Sequence, residues 1–396
     1  MGVEVIYVNI FGRFMSNPLA WITVDLKAID FNIKQFRRLL KPETKIMAVV
    51  KANAYGHGLF EVAKQSIRSG ADYLGVITAD EALELRKKGI IQPIVVLGAV
   101  AKDNIGSLIR NKIGLSVYNE ESYRTIARIA DITNRKAIVH VKLDSGINRL
   151  GFNNIEEILR IIKLISAKTR QFELEGLYSH LASVEELNQS YTNDQILAFE
   201  RLLTKLEKLE IKIPIISIAS SAAAIMVPNS RFNCVRIGIS LYGIWPSRGV
   251  ELWCKRSKKT RNFHLKPALT YKTKLIQVKR IRAGSYVGYG CNYQAKSAMT
   301  IGVIPVGYFE GIPRHLSNMG FALLKGAVVP FVGRVCMNMI ILDISKRPRA
   351  KVGDEVVMIG RSQNKEITAT DIADWAGTIS YEILSRIPAH LSRIYK

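Results

Sequence analysis

In the run AVVKANAYGHG a lysine, Lys51, stands directly after an apolar stretch that ends at Val50. An ammonium at such a boundary loses part of its water, which lowers its pKa and frees a neutral amine able to condense with an aldehyde. On position alone, a lysine that snorkels to the surface fits equally well. Comparable boundaries recur. Lys142 and Arg149 lie in VKLDSGINRLGF, His180 closes LEGLYSH, Ser220 and Ser221 follow PIISIA, and Arg236 and Gly238 follow a short apolar run that starts at Cys234. Each of these groups sits where a β-prone run gives way to a polar segment.

The elements that must hold them are legible as a repeat. Short β-rich runs fall at 46–50, 73–77, 94–97, 115–118, 137–143, 174–179, 215–218 and 234–237. Segments with apolar residues three and four apart, such as 81–88, 155–165 and 195–209, read as the crossover helices between them. Eight such units predict an α/β fold, a (β/α)8 TIM-like barrel, with a doubly wound open sheet as the alternative. A barrel carries its chemistry at the C-terminal ends of its strands, where the residues above fall, and its phosphate site in the loops after strands seven and eight. Here those loops supply Ser221 and Gly238. An amine-bearing lysine with a phosphate cradle points to pyridoxal 5'-phosphate. From Pro267 onward the texture changes to β-branched runs at 269–277, 300–306, 327–332, 339–343 and 355–359, punctuated by glycine, which predicts a mostly antiparallel β domain. The predicted organisation is a poorly ordered extension over 1–19, a barrel over 20–250, a basic linker over 251–266 and a β domain over 267–396. Residues 20–26 form one more short strand that the barrel does not need and the second domain could use.

Lys and Arg total 57 against 33 Asp and Glu, a net charge of +24. Such an excess raises nucleic acid and anionic membranes as partners, yet it is spread evenly, with 19 basic and 8 acidic side chains in residues 262–396 and 38 and 25 before them. Around the densest run, Lys255 to Arg261, no nucleic-acid module signature is present, so it reads as a solvated linker. The uncharged stretch 213–230 contains Pro214, Pro228 and Asn229, which favours a strand and turn over a membrane span. Cys234, Cys254, Cys291 and Cys336 form no CxxC pair, which suits a reducing cytoplasm. The expectation is therefore a cytoplasmic protein with a small-molecule substrate, without nucleic acid, membrane or metal.

Taken together, AVVKANAYGHG, LDSGINRLGF, IASSAAA, RIGISLYGIWP, VGYGCNY, IPVGYFEGIPR, GRVCMNM and GTISYE resemble, in order and over about residues 20–396, the motifs of the alanine racemases, fold type III pyridoxal-phosphate enzymes. The resemblance implies interconversion of L- and D-alanine by a head-to-tail homodimer with shared active sites, supplying D-alanine for peptidoglycan. It matches Lys51 to the lysine that carries the cofactor and serves as one base, and Tyr289 to the second base, supplied by the partner subunit. Racemisation needs a base on each face, because one group removes the α-proton and the other returns one from the opposite side. Arg236 matches the residue at the pyridine nitrogen. An always-charged guanidinium there keeps that nitrogen unprotonated, weakens the ring as an electron sink and favours proton return over side reactions. With His180 it matches a hydrogen-bonded chain that assists Tyr289. Tyr55, Ser221, Tyr381 and the backbone at Gly238 and Ile239 match phosphate contacts; Arg149 and the Met337 amide match contacts to the substrate carboxylate. Lys142 matches a lysine that can be carbamylated and then positions Arg149, and Tyr308, Arg314 and Arg334 match the corridor that admits substrate. The chain departs from the usual pattern at Asn338, for aspartate, and at Ser217, Ser220, Leu181 and Glu310. These leave open a broader amino-acid racemase; a non-catalytic cofactor carrier is opposed by the second domain and Tyr289.

Overall fold

A computed structural model describes residues 18–186 and 188–396, in two units. One contains Ala28–Ala54 and Leu59–Pro267; the other contains, of the described residues, 18–27, Tyr55–Gly58 and Ala268–Lys396. Most of the predicted N-terminal extension lies outside the described residues.

Numbered along the chain, β1 (Ala20–Val24) belongs to the second unit, and the next eight strands build the first. These are β2 (Lys45–Val49), β3 (Tyr73–Val76), β4 (Ile94–Val96), β5 (Gly114–Val117), β6 (Ala137–Lys142), β7 (Phe172–Tyr178), β8 (Ile215–Ser217) and β9 (Cys234–Ile237). All pair in parallel, in the order β8-β7-β6-β5-β4-β3-β2-β9. Because β9 pairs with β2, the last strand lies beside the first, and the sheet is a nearly closed barrel rather than a doubly wound open sheet. At the remaining seam, the Arg236 N–H donates to the Ala219 carbonyl (3.0 Å) and the Ile216 N–H to Asn233 Oδ1 (2.7 Å). Strands covered by helices on one face and core on the other read as near-continuous apolar runs, and β2, β4 and β9 are buried along almost their whole length.

Of the three crossover helices read from the sequence, one begins at Ile155 as apolar periodicity indicates and two begin earlier. Ala79–Lys87 starts where Thr78 Oγ1 accepts from the Glu81 N–H, and Ser190–Lys208 starts five residues before Gln195 because its first turns bury Thr192. Polar caps and buried polar residues are invisible to a hydrophobic pattern.

The segment expected as a solvated linker folds instead as part of the barrel unit. Helix Arg248–Arg256 buries Val250 and Cys254, spaced four apart, while its cations face out. Beyond it the Phe263 ring meets Phe36 and Trp245 edge-on, and Asn32 bonds the backbone of Lys266 in both directions. The charge density of 255–261 hid this sparse apolar pattern.

The second unit carries two sheets. One has the order β14-β13-β16-β10-β1-β18, with a short β17 on β16; the other is β11-β12-β15. Their strands are β10 (Leu269–Lys274), β11 (Gln277–Ile281), β12 (Met299–Ile304), β13 (Phe321–Leu324), β14 (Ala327–Pro330), β15 (Ile340–Asp343), β16 (Glu355–Ser362), β17 (Lys365–Ile367) and β18 (Ser392–Tyr395). The run 269–277 is thus not one strand: the chain breaks at Leu275 and Ile276 and crosses between sheets, Leu275 N–H bonding the Asp354 carbonyl and Ile276 N–H that of Val303. Pairing is antiparallel throughout except where β18 lies parallel to β1. Among the described residues, no helix is long and apolar enough to cross a membrane, and no group of three or more His, Cys, Asp or Glu is placed to hold a metal.

Candidate active site

The barrel gathers most of the predicted groups at the C-terminal ends of its strands. Lys51 lies two residues past the end of β2, and burial, reinforced by the nearby Arg149 charge and opposed by Glu81, lowers its pKa. The next residues do not continue a right-handed helix. Ala52, Asn53, Ala54 and Tyr55 all have φ between 51° and 54°, a single left-handed turn. Such a turn costs L-residues roughly 1–2 kcal/mol each, so it persists only because it is held. The Asn53 N–H donates to Glu81 Oε1 (3.2 Å), Asn53 Oδ1 accepts from the Leu59 N–H (2.9 Å), and Glu81 Oε2 accepts from Ile77 N–H (3.1 Å).

Lys142, at the end of β6, is pushed down to about 8 by burial and by the charges of Arg149 and Arg236. The loop after it is organised by Asp144, whose carboxylate accepts from the backbone of Gly146, Asn148 and Arg149. The loop closes on itself: Asp144 N–H donates to the Phe152 carbonyl (2.8 Å), and Gly151, at φ +129°, has no room for a Cβ, which would lie 2.6 Å from Asp144 N.

Arg236 is buried in β9, and every acceptor it meets is neutral. Its guanidinium donates to the Ser217 carbonyl (3.0 Å), Ser217 Oγ (2.7 Å), the Ser179 carbonyl (2.6 Å) and His180 Nδ1 (3.1 Å). A guanidinium only donates, so His180 Nδ1 is an acceptor and its proton sits on Nε2. Burial and the charges of Arg236, Arg149, Lys142 and Lys51 push that imidazole down to about 3, so it is neutral. Ser221 follows the same seam and its Oγ accepts from the Gly238 N–H (3.0 Å), which brings the predicted hydroxyl beside the amides of Gly238 and Ile239.

The second unit holds the other predicted residues in two places. Tyr55 and Tyr381 lie with ring centroids 6.2 Å apart, Tyr55 buried and its phenol pushed up to about 12 by that burial. Elsewhere in the unit, Tyr289 is 74% exposed in the turn Tyr289–Cys291, and a Cβ on Gly290 would lie 2.9 Å from the Arg334 guanidinium carbon. The Arg334 loop is tied to the one after Arg314, with Val335 N–H donating to Ser317 Oγ (3.0 Å). It is also tied to Tyr308, whose N–H donates to the Cys336 carbonyl (3.0 Å). Met337 is exposed beside it. The structure therefore gathers Lys51, Lys142, Arg149, His180, Ser221, Arg236, Gly238 and Ile239 on the barrel unit, and Tyr289, Tyr308, Arg314, Arg334 and Met337 on the β unit.

Sequence reasoning passed over three residues that build the barrel site. Tyr178 carries the Lys142 ammonium and the Arg236 guanidinium, each 5.5 Å from its ring centre, and its hydroxyl meets Ser116 Oγ (2.7 Å). Its signal was an aromatic at a strand end, next to Ser179 and His180. Asp144 and Glu81 hold backbone rather than offering an obvious catalytic spacing, and nothing in a single sequence distinguishes them from surface carboxylates.

On the barrel unit the donor set fits pyridoxal phosphate: an amine of lowered pKa for its aldehyde, a hydroxyl with backbone amides for its phosphate, and a guanidinium with no carboxylate partner among the described residues for its ring nitrogen. Sequence profiles agree. The alanine racemase N-terminal domain matches residues 24–246 and the alanine racemase C-terminal domain residues 268–395. The chain belongs to the alanine racemase family. An alanine racemase of Methanococcus maripaludis is 38% identical over 96% of this chain and 99% of its own. The crystal structure of the Bacillus anthracis alanine racemase with bound L-Ala-P is 33% identical, with a TM-score of 0.89 over 96% of this chain and 95% of that one. A histidine racemase from Leuconostoc mesenteroides subsp. sake is 30% identical, with a TM-score of 0.85 over 96% of this chain and 99% of that one. The activity is that of an alanine racemase, an isomerase that depends on pyridoxal phosphate.

Proposed function

We propose that racemisation of alanine here runs between two proton-transfer groups, the Lys51 amine on one face of the substrate Cα and the Tyr289 hydroxyl on the other. The observation that carries this reading is a lysine of lowered pKa at a barrel strand end, and the reading is supported by a tyrosine 74% exposed on the β unit. Bound pyridoxal phosphate supplies an aldehyde for the amino group and a ring that spreads charge from Cα. The residues of the chain do the rest. Arg236 keeps its positive charge against the ring nitrogen, held in place by Ser217 and Ser179. Tyr55, Tyr381, Ser221 and the amides of Gly238 and Ile239 hold the phosphate, and Arg149 with the Met337 amide holds the substrate carboxylate.

Tyr289, Tyr308, Phe309, Met337, Met339 and Ile379 of the β unit are all exposed although large and apolar. Exposed apolar side chains of this kind, one of them a base, suit a homodimer in which Tyr289 completes the partner's site. Lys142, with its pKa lowered to about 8, has the free amine that carbamylation requires, and the product would pair with Arg149. Tyr308, Arg314 and Arg334 line the substrate's way in. The setting is the cytoplasm, which the scattered, unpaired cysteines support, and the product is D-alanine for peptidoglycan.

The test is incubation of the holoenzyme with L-alanine in deuterated water. Loss of optical rotation with α-deuterium incorporation is expected. Lys51→Ala removes the cofactor's visible band, and Tyr289→Phe keeps that band but lowers kcat about a thousandfold. Full activity of Tyr289→Phe in both directions would remove its assigned role. A broader substrate range is the second reading, favoured by the histidine racemase on the same fold. Faster turnover of a larger amino acid than of alanine would establish it.

A further inference from the structure

Glu310 is a buried carboxylate, 7% exposed, in the turn that follows β12. Both of its oxygens accept: Oε2 from the Gly307 N–H (2.8 Å) and Oε1 from the side-chain amide of Asn338 (2.7 Å). The main chain repeats the contact. Tyr308 N–H donates to the Cys336 carbonyl and Phe309 N–H to the Met337 carbonyl, each at 3.0 Å. A Cβ on Gly307 would lie 2.2 Å from the Cys336 oxygen and 2.4 Å from that of Met337, so the two turns are pressed together backbone to backbone. Tyr308 and Met337 both emerge from this joint.

We propose that Glu310 and Asn338 act as one positioning device, a clasp of one carboxylate and one neutral amide that sets the Met337 backbone and Tyr308 for the substrate carboxylate and admits only a single negative charge there. The proposal rests on the reading of Met337 as a carboxylate contact. A buried carboxylate whose first oxygen is taken by a backbone N–H needs a second donor, and an ionised aspartate at position 338 has none to give. Two carboxylates at this separation cannot both ionise; one keeps a proton, with its pKa raised. Above that pKa a second negative charge would stand where an anionic substrate must dock. The structure makes residues 310 and 338 direct partners.

The other ionisable groups facing the clasp do not supply this behaviour. The Tyr271 hydroxyl donates to the Glu310 carbonyl (3.0 Å), and burial and the Glu310 charge hold it far above its ordinary range. Burial pushes the Cys336 thiol up against the opposing charge of Arg314. Arg393 acts on Tyr271 as a fixed positive charge. His390, its ring stacked on Phe309 with centroids 4.9 Å apart, is given its own control.

KM and kcat for both alanine enantiomers, with the thermal midpoint, are measured on the holoenzymes across neutral to alkaline pH. Asn338→Asp is expected to raise KM about tenfold toward the alkaline end, with kcat altered much less, and to lower the midpoint over the same range. The exchanged pair, Glu310→Gln with Asn338→Asp, keeps one carboxylate and one amide and should restore KM and flatten both profiles. Adding His390→Asn to Asn338→Asp should leave the new pH dependence in place; its loss would assign the dependence to His390 and overturn the clasp. Parental KM for Asn338→Asp at every pH, or an exchanged pair no better than the single variant, overturns the proposal as well. If the midpoint becomes pH-dependent while KM stays parental, the clasp is structural only. The positioning role then falls, while the reading of Met337 as a carboxylate contact and alanine turnover itself stand.

Discussion

His180 shows how much one side chain's neighbours decide. Its name suggests a proton shuttle near neutral pH, yet burial and four surrounding cations push it down to about 3, and Arg236 occupies Nδ1. It is therefore a neutral donor through Nε2, and the limbs of the rate profile belong to other groups. In the unfolded chain the same imidazole has its ordinary pKa near 6.5. Between about 6.5 and 3 the unfolded state binds the proton that the native state refuses, so stability is lost as pH falls through that window, by roughly 1–2 kcal/mol at pH 5. Two measurements follow. The His180 ring resonances of the holoenzyme should stay unchanged from pH 8 to 5, and His180→Asn should lose less of its thermal midpoint than the parent over that interval. A ring that titrates near 6.5 would show that the cations are not gathered around it. From the sequence, His180 and Arg236 were identifiable as site residues by motif, but their hydrogen bond and the protonation state it imposes depend on where β7 and β9 place them.

Among elements, the left-handed turn after Lys51 is the least expected from composition, since neither alanine nor tyrosine favours positive φ. It holds because Glu81 accepts from the Asn53 N–H and the Asn53 side chain accepts from the Leu59 N–H that follows the turn. Replacing Ala52 by glycine relieves about 1–2 kcal/mol of strain and returns about 0.5–1 kcal/mol to the unfolded chain's entropy. The thermal midpoint should therefore rise slightly or not move, whereas kcat should fall severalfold because the lysine's anchor slackens. Unchanged kcat would mean that the turn does not position Lys51. The strands of the barrel were legible because burial on both faces writes continuous apolar runs, and each of the eight runs read from the sequence overlaps one of its eight strands. The break between β10 and β11 was not legible. A β-branched run looks the same whether it stays in one sheet or crosses to another, and only the pairing of Leu275 with Asp354 and Ile276 with Val303 separates the cases. Helix Arg248–Arg256 was missed for a related reason: two buried residues among exposed cations leave too weak a stripe to read.

For the whole molecule, the division of labour between two units predicts how defects combine. If Tyr289 completes the partner's site, Lys51→Ala and Tyr289→Phe damage different halves of each site. Mixed and reassociated, the two inactive variants should form hybrid dimers with one intact site, recovering about a quarter of parental activity at equal proportions. Absence of recovery, with hybrids verified by mass, would place both bases in the same chain. Sedimentation should give a dimer at assay concentration. Overall charge, by contrast, carried little information about function, since +24 is distributed over both halves of the chain. One feature of the sheet sets when the second unit can form. Strand β1, complete by residue 24, lies between β10 and β18, and its parallel partner spans Ser392–Tyr395. A nascent chain therefore carries β1 unpaired while the intervening barrel is synthesised and folds. During translation that exposed edge is open to chaperones and to premature pairing with other nascent chains, so slowing elongation should lower the soluble yield through aggregation of β1 rather than through failure of the barrel.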